Sequence, residues 1–580
     1  MNEPTSRITT HLSQFFGKEY NLLILAAGIG VLAGAASTVF RWMILFFQNV
    51  FSENGLLMGL SAGLAAFLLP FMPMLGGLVI GFARRYFPDA VAENGVDRVI
   101  EAVVLKNGHI RKRVLAVCAL TSSITIGSGG SAGRVGPTVQ ICSVLGSVFG
   151  QMLKLSRDRV RVLVGCGAAA GIAATFNAPL AGMIFVMEII LGEFTIHSLS
   201  PIVIASVMGT VTGRAIEGNQ LTFLTPVHEV VNPSEIFFYL ILGILCGLTA
   251  HLFIQSYFRS QKFFEEKVKI SKILKPALGG LIVGLIALIT PQVRGNGFPE
   301  MEQVLNGNLF WGVALLLIAT KIIATAVTLG SGGVGGTFAP SLFIGSMVGA
   351  TFGAAIHALL PEWTASSETY ALVGMGALAS AALQAPLTSI LILFEMTQDY
   401  TIVLPSMVCC IVATYTMRRF TKHSIYIQSL LNRGINIQHG KAISILSSMF
   451  VRDVMTREVV TLDEEMPFKS VLETVSYSRH LYYPVVDQEA RMTGIISFSD
   501  IKNAAQKEGT EKMTAAEMAT REVTVLRPSH NLNEALEKFS ELDIEQIPVV
   551  EVGDSRKVIG LIRRSDVQAV YNREVLITTL

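Results

Sequence analysis

Four short motifs occur twice, in the same order and at nearly constant separation, within the first 420 residues. Pro73-Met74-Leu75-Gly76-Gly77-Leu78-Val79-Ile80-Gly81 returns as Pro276-Ala277-Leu278-Gly279-Gly280-Leu281-Ile282-Val283-Gly284. Asn94-Gly95 returns as Asn296-Gly297, and the Gly-rich stretch from Gly127 to Pro137 returns from Gly330 to Pro340. Asn177-Ala178-Pro179-Leu180 with Glu188 returns as Gln384-Ala385-Pro386-Leu387 with Glu395. A pattern of this kind is a duplication. It restricts the fold to one built from two related halves, at about 21–215 and 235–420.

Each half is a series of apolar runs broken by Gly, Pro and short basic clusters. Hydrophobic residues make up 51% of the chain and charged residues only 15%, against about 25% charged in soluble proteins. Many membrane spans are therefore expected. The first twenty residues lack the basic-then-apolar pattern of a cleavable signal, so the run from Leu22 to Phe47 reads as a retained span. A formal net charge of +2 gives no support to a nucleic-acid partner. The six cysteines lie in apolar segments without ligand spacing and read as small hydrophobes. His109, His197, His251 and His357 are isolated, so no metal site is expected.

Gly/Pro-interrupted hydrophobic segments at matching positions of two membrane halves point to a midplane site built from broken helices. Within Gly127 to Pro137, glycines let backbone N–H groups approach a ligand, and Pro137 suits the first turn of the helix that follows. The unpaired N–H groups and dipole of a helix N-terminus favour an anion. The competing use of such glycines is close helix packing. The paired loops at 127–137 and 330–340 are expected to cradle an anion.

Beyond a linker at 436–451, charge density rises and a second duplication appears at 452–505 and 515–575. Thr456-Arg457-Glu458-Val459 returns as Thr520-Arg521-Glu522-Val523, and Tyr483-Pro484-Val485-Val486 as Ile547-Pro548-Val549-Val550. The segment from Gly494 to Asp500 returns from Gly560 to Asp566.

Gly133-Arg134-Val135-Gly136-Pro137, Gly336-Thr337-Phe338-Ala339-Pro340, Tyr426 and the two Ala-Pro-Leu motifs together resemble the CLC family of chloride channels and proton-coupled chloride exchangers. The tail is similar to a tandem pair of CBS modules. The resemblance implies an all-α polytopic membrane domain of inverted repeats over 21–435, then an α/β CBS pair. It also implies a homodimer in the lipid bilayer, with one path for small anions per subunit and chloride as the transported ion. No cofactor is required. Backbone around Arg134, Val135, Gly136, Thr337 and Phe338 would line the path, and Tyr426 would offer its hydroxyl. Such donors hold an anion without a full opposing charge and can release it.

Three departures bear on function. The family's gating glutamate is Val135 here, which can neither compete with the anion nor carry a proton. The family's internal proton glutamate falls on Ile189, beside Glu188; a one-residue slide would put Glu188 there. Asn94 replaces a serine whose hydroxyl would face the anion; its amide can also donate, which leaves chloride, nitrate and fluoride undiscriminated. Glu93 and Asp97 are expected on a loop facing water, and Lys321 is expected to snorkel or to pair with Glu188 or Glu395. That pair of carboxylates reads either as functional or as a structural set satisfying helix ends.

The function expected is a passive, voltage-driven chloride channel without stoichiometric proton coupling. Alternatives are an exchanger with another proton path, a fluoride- or nitrate-selective relative, and a nucleotide-sensing conduit. In CBS pairs a Gly-x-x-Ser/Thr-x-x-Asp segment can hold adenine nucleotide. Ser497 and Asp500 keep both parts, whereas Asp566 has Arg563 in the hydroxyl position, and a purely structural tail is the other reading. An enzyme is not expected: the tail has no nucleophile–base set, and the Gly-rich loops lack the Lys-Ser/Thr end of a phosphate-binding loop. Basic clusters at Arg84-Arg85, Arg111-Lys112-Arg113, Lys154 to Arg161, Lys262 to Lys275 and Arg418-Arg419-Lys422 read as cytoplasmic loops. With them, both termini are placed in the cytoplasm of a multi-pass cell-membrane protein.

Overall fold

The duplicated motifs recur in a computed structural model as two matched series of helices. It describes residues 18–570 except 53–54, 57–63, 65–66, 89–90, 92–94, 220–222, 224–231, 436–445, 447–448, 479 and 507–509. Asn94 and Glu93 therefore lie outside the described residues. The chain divides into a unit ending at Ile435 and a second beginning at Asn436.

The first half of the helical unit contains α1 (Lys18–Val50), α2 (Met72–Tyr86), α3 (Val96–Leu105), α4 (Arg113–Gly127), α5 (Val135–Met152), α6 (Arg157–Phe176), α7 (Pro179–Phe185) and α8 (Ile196–Glu217). The second half repeats them as α9 (Ile236–Lys262), α10 (Leu274–Ile289), α11 (Phe298–Leu305), α12 (Trp311–Gly330), α13 (Phe338–Leu359), α14 (Ser367–Leu383), α15 (Pro386–Thr397) and α16 (Val403–Phe420). A further helix, α17 (Ile425–Asn432), carries Tyr426. Neighbours repeat as well: α5 on α6 and α1 on α8 in one half match α13 on α14 and α9 on α16 in the other. Six described helices are long and apolar enough to cross a membrane, and four shorter apolar ones accompany them.

Local sequence explains the breaks. Asn177 and Gln384 end α6 and α14 in the left-handed conformation, at φ 57° and 54°, and a Pro two residues on starts the next helix. The halves are joined by α2 and α10, which pack on each other. A Cβ on Gly77 would overlap the Pro276 carbonyl, and one on Gly280 the Pro73 carbonyl. The first repeated motif is thus a helix crossing that only glycine permits.

The second unit contains α18 (Val451–Val454), β1 (Leu462–Asp463), α19 (Phe468–Ser476), β2 (Tyr482–Val486), β3 (Met492–Ser497) and α20 (Phe498–Ala504). It continues with α21 (Ala515–Met518), α22 (Leu532–Leu542), β4 (Gln546–Val550) and β5 (Val558–Arg563). Strand β1 runs parallel to β2, which pairs antiparallel with β3, and β4 pairs antiparallel with β5. Thr456 bridges Leu561 and Thr520 bridges Ile495, so the lead segment of each repeat adds to the hairpin of the other. Two cores result, one around Val471, Tyr483 and Ile496, the other around Phe539, Ile547 and Ile562.

Candidate anion site

The two Gly-rich loops meet. Gly133 N–H donates to the Gly336 carbonyl at 2.7 Å, and Gly336 N–H returns the bond to Gly133 at 2.7 Å. Ser131 N–H donates to the Thr328 hydroxyl at 3.1 Å, and Val334 N–H donates to the Thr125 hydroxyl at 3.1 Å. Two motifs about 200 residues apart thereby form one two-fold arrangement, with the N-termini of α5 and α13 beside it.

Helix geometry then determines which donors remain. The first N–H groups of an α-helix have no upstream partner. The first bonds within α5 and α13 come from Thr138, to the Arg134 carbonyl, and Ser341, to the Thr337 carbonyl. Pro137 and Pro340 carry no N–H. The first turns therefore offer Val135 and Gly136 from one half, and Phe338 and Ala339 from the other. No lysine or arginine head group is needed for this set.

A cavity of about 1060 Å³ reaches this point and is lined by Gly95, Gly136, Thr337 and Tyr426. The Tyr426 hydroxyl interacts with the Thr337 side chain. The cavity walls carry six Lys and Arg side chains (Arg84, Arg98, Arg259, Lys262, Lys422, Arg433) against three carboxylates (Asp97, Glu265, Glu266), so the vestibule is net positive. A separate cavity of about 430 Å³ is lined by Arg134, Arg41, Asn177, Arg214 and Phe298. The Arg134 guanidinium lies 5.0 Å over the Phe298 ring, and its Nε is buried without a hydrogen-bond partner. Arg134 lines one cavity and Gly136 the other, with Val135, only 1% exposed, between them. Phe338 is fully buried at the same level of the second loop.

Among the site residues expected from sequence, the structure gathers Val135, Gly136, Thr337, Phe338 and Tyr426, with Arg134 on the far side. Glu188 and Ile189 lie on a π-helical turn, Val186–Leu191. Glu188 accepts from the N–H of Leu387 at 3.3 Å, and from the N–H and hydroxyl of Thr388 at 2.8 and 2.7 Å. Glu395 accepts from the N–H of Leu180 at 3.0 Å and of Ala181 at 2.7 Å. Each carboxylate thus caps the Pro-led helix of the opposite half, where a helix dipole favours it.

Two expectations change. Lys321 neither snorkels nor pairs with Glu188 or Glu395: fully buried, it donates to the carbonyls of Val293 at 3.0 Å and Gly295 at 3.2 Å and lies over the Phe343 ring. Its depth in α12, under the loop equivalent to Asn94-Gly95, leaves those carbonyls as its nearest acceptors. Asp97 is not on a water-facing loop; it is 8% exposed and lines the larger vestibule. Its first-turn place in α3 turns it inward to the cation that caps the C-terminus of α17, Arg433. Sequence reading also missed Gln140, whose Oε1 accepts the Gly95 N–H at 2.5 Å. It missed Thr125 and Thr328 as well, although they stand at the same offset as the repeated motifs, a signal that could have found them.

In the tail, Ser497 and Asp500 bond to each other. Asp500 Oδ2 accepts from the Ser497 N–H at 2.8 Å and hydroxyl at 2.7 Å, and Ser497 Oγ accepts the Asp500 N–H at 3.2 Å. This is a capping box that starts α20. Arg563, at the equivalent place, lies 3.2 Å from His480 Nδ1. Partial burial, and then the Arg563 charge, hold the His480 pKa below its usual range, so the neutral ring accepts this bond. Asp566 stands three residues beyond Arg563 and is half-buried.

Comparison with known proteins agrees with both units. The voltage gated chloride channel family profile matches residues 75–418, and that of the CBS domain matches 451–507 and 515–572. A protein of Ralstonia nicotianae described as ClcB-like is 37% identical over 363 residues, 62% of this chain and 84% of that protein. The H(+)/Cl(-) exchange transporter ClcA of Salmonella paratyphi B is 33% identical over 410 residues, 68% of this chain and 84% of that protein. Among solved structures, a slow cyanobacterial Cl−/H+ antiporter superposes with a TM-score of 0.65 at 27% identity, covering 71% of this chain and 97% of that one.

Proposed function

The chain belongs to the voltage gated chloride channel (CLC) family, and from that premise we propose that it passes chloride through the membrane passively, without stoichiometric proton coupling. The observation that carries this reading is Val135, a buried hydrocarbon residue next in sequence to Arg134, which lines one cavity, and to Gly136, which lines the other. A proton-coupled cycle that runs through this position needs a group that binds and releases a proton, and valine has none. Ile189 adds a second hydrocarbon at the other expected proton position. Permeation then rests on the donors of Val135, Gly136, Phe338 and Ala339 with the Tyr426 hydroxyl. They desolvate the anion partly and return it to water on either side. Asn94, which lies outside the described residues, joins this reading from sequence alone, as a further amide donor.

Proton-coupled exchange is the second reading, favoured by the description of ClcA and of the cyanobacterial protein as exchangers. It requires a proton route that avoids residues 135 and 189, with Glu188 the nearest carboxylate. Reconstitution separates the two. Under a pH gradient with equal chloride on both sides, the passive reading expects no chloride accumulation, and proton-driven accumulation overturns it. Repeating the assay with nitrate and fluoride ranks the anions.

The larger vestibule is assigned to the cytoplasmic side by its Arg84, Lys262 and Lys422 clusters, with both termini on that side. The assembly proposed is a homodimer with one path per subunit. The CBS pair is assigned an adenine-nucleotide site at Ser497, Asp500, Arg563 and Asp566, without enzymatic activity.

A further inference from the structure

We propose that Asp97, Ser429 and Arg433 form a charge clamp that fixes the Tyr426 helix against the Gly95 loop and silences a carboxylate at the mouth of the anion path. Asp97 Oδ2 accepts from the Ser429 hydroxyl at 2.9 Å and from Arg433, whose guanidinium also donates to Ser429 Oγ at 2.9 Å. Ser429 and Arg433 follow Tyr426 at helical spacing, so one face of α17 presents the tyrosine and the clamp, and α17 packs on α3.

The other side of the clamp is the loop itself. Gly95, at φ 123°, immediately precedes α3, and a Cβ there would overlap Asp97 Oδ1. Gly95 can therefore be no other residue while Asp97 keeps this position. Asp97, Ser429, Arg433, Gly95 and Tyr426 all line the same vestibule. A bare carboxylate in that wall would repel an approaching anion through a medium less polar than bulk water. Paired with Arg433, it becomes a neutral tie between the two elements that flank the path.

The inference rests on the anion-path reading, so the test begins with chloride efflux from liposomes containing the wild-type chain. Absence of efflux under every gradient would refute that reading and, with it, the clamp's role at the mouth of an anion path. With wild-type efflux in hand, Arg433→Gln leaves Asp97 unpaired and is expected to slow efflux roughly three- to tenfold. The deficit shrinks as impermeant salt screens the charge. Asp97→Asn/Arg433→Gln, with no carboxylate to silence, is expected to return towards wild type. Arg433→Gln at wild-type rate, or a double variant as slow as the single one, overturns the proposal. Should Arg433→Gln aggregate, Arg433→Cys labelled after reconstitution repeats the test on folded protein, since the native cysteines are all buried. A cationic thiosulfonate is then expected to raise efflux where an anionic one does not, and equal effects overturn the clamp.

Discussion

At the scale of single residues, the first turns of α5 and α13 leave backbone N–H groups unpaired within the helix, and the proposed path has a valine, Val135, where an acid could contest an anion. Val135 can be converted into that acid. In Val135→Glu the carboxylate competes with chloride for the α5 and α13 amides. Efflux at neutral pH is expected to fall at least about fivefold, because a fixed anion excludes a mobile one at this range. It recovers as pH drops into the carboxylate range near 4 to 5, while the wild type stays nearly flat over the same interval. Efflux from liposomes buffered between these limits checks both curves, and a flat Val135→Glu profile would remove residue 135 from the path. The loop donors were legible in the sequence because Gly, Pro and helix starts constrain the backbone directly. Asp97 and Lys321 were misread because their partners, Arg433 and the carbonyls of Val293 and Gly295, are distant in sequence or carry no side-chain signal at all.

At the scale of elements, repetition was the legible quantity. Motifs that recur in order predicted helices that recur in order, and the Gly133–Gly336 pair shows why the glycines repeat together. The repeat alone did not say which copies touch. The Pro73 and Pro276 motifs pack on each other at a helix crossing, and the Pro179 and Pro386 motifs exchange caps. Glu188 and Glu395 are therefore read as structural, with a measurable consequence. Glu188→Gln keeps a weaker, uncharged acceptor at the start of α15 and is expected to lose about 1–2 kcal/mol of stability. The readout is a lower unfolding temperature in detergent with chloride efflux largely preserved. If efflux or proton movement changes sharply while thermal stability does not, Glu188 belongs to transport and the capping account fails.

At the scale of the whole molecule, a membrane unit of the CLC family is followed by a CBS pair whose halves complete each other's hairpins. The pair's architecture was legible from its repeats, but the state of its polar residues was not. Ser497 and Asp500 looked available for a nucleotide, yet each already holds the other at the start of α20. Replacing either removes a helix cap worth about 0.5–2 kcal/mol whatever the ligand, so loss of binding in such variants would say little about contact. Arg563 is the better probe. It is a β5 residue outside any capping box, and its guanidinium rests on a neutral His480 that a phosphate would outcompete by charge. Titration calorimetry of the full chain with ATP is expected to give a binding heat, and Arg563→Gln should weaken the affinity about tenfold or more, as loss of a charge-assisted pair does. No heat with the wild type would assign the tail a structural role. Heat unchanged in Arg563→Gln would place the nucleotide away from the second repeat, at the Ser497–Asp500 turn.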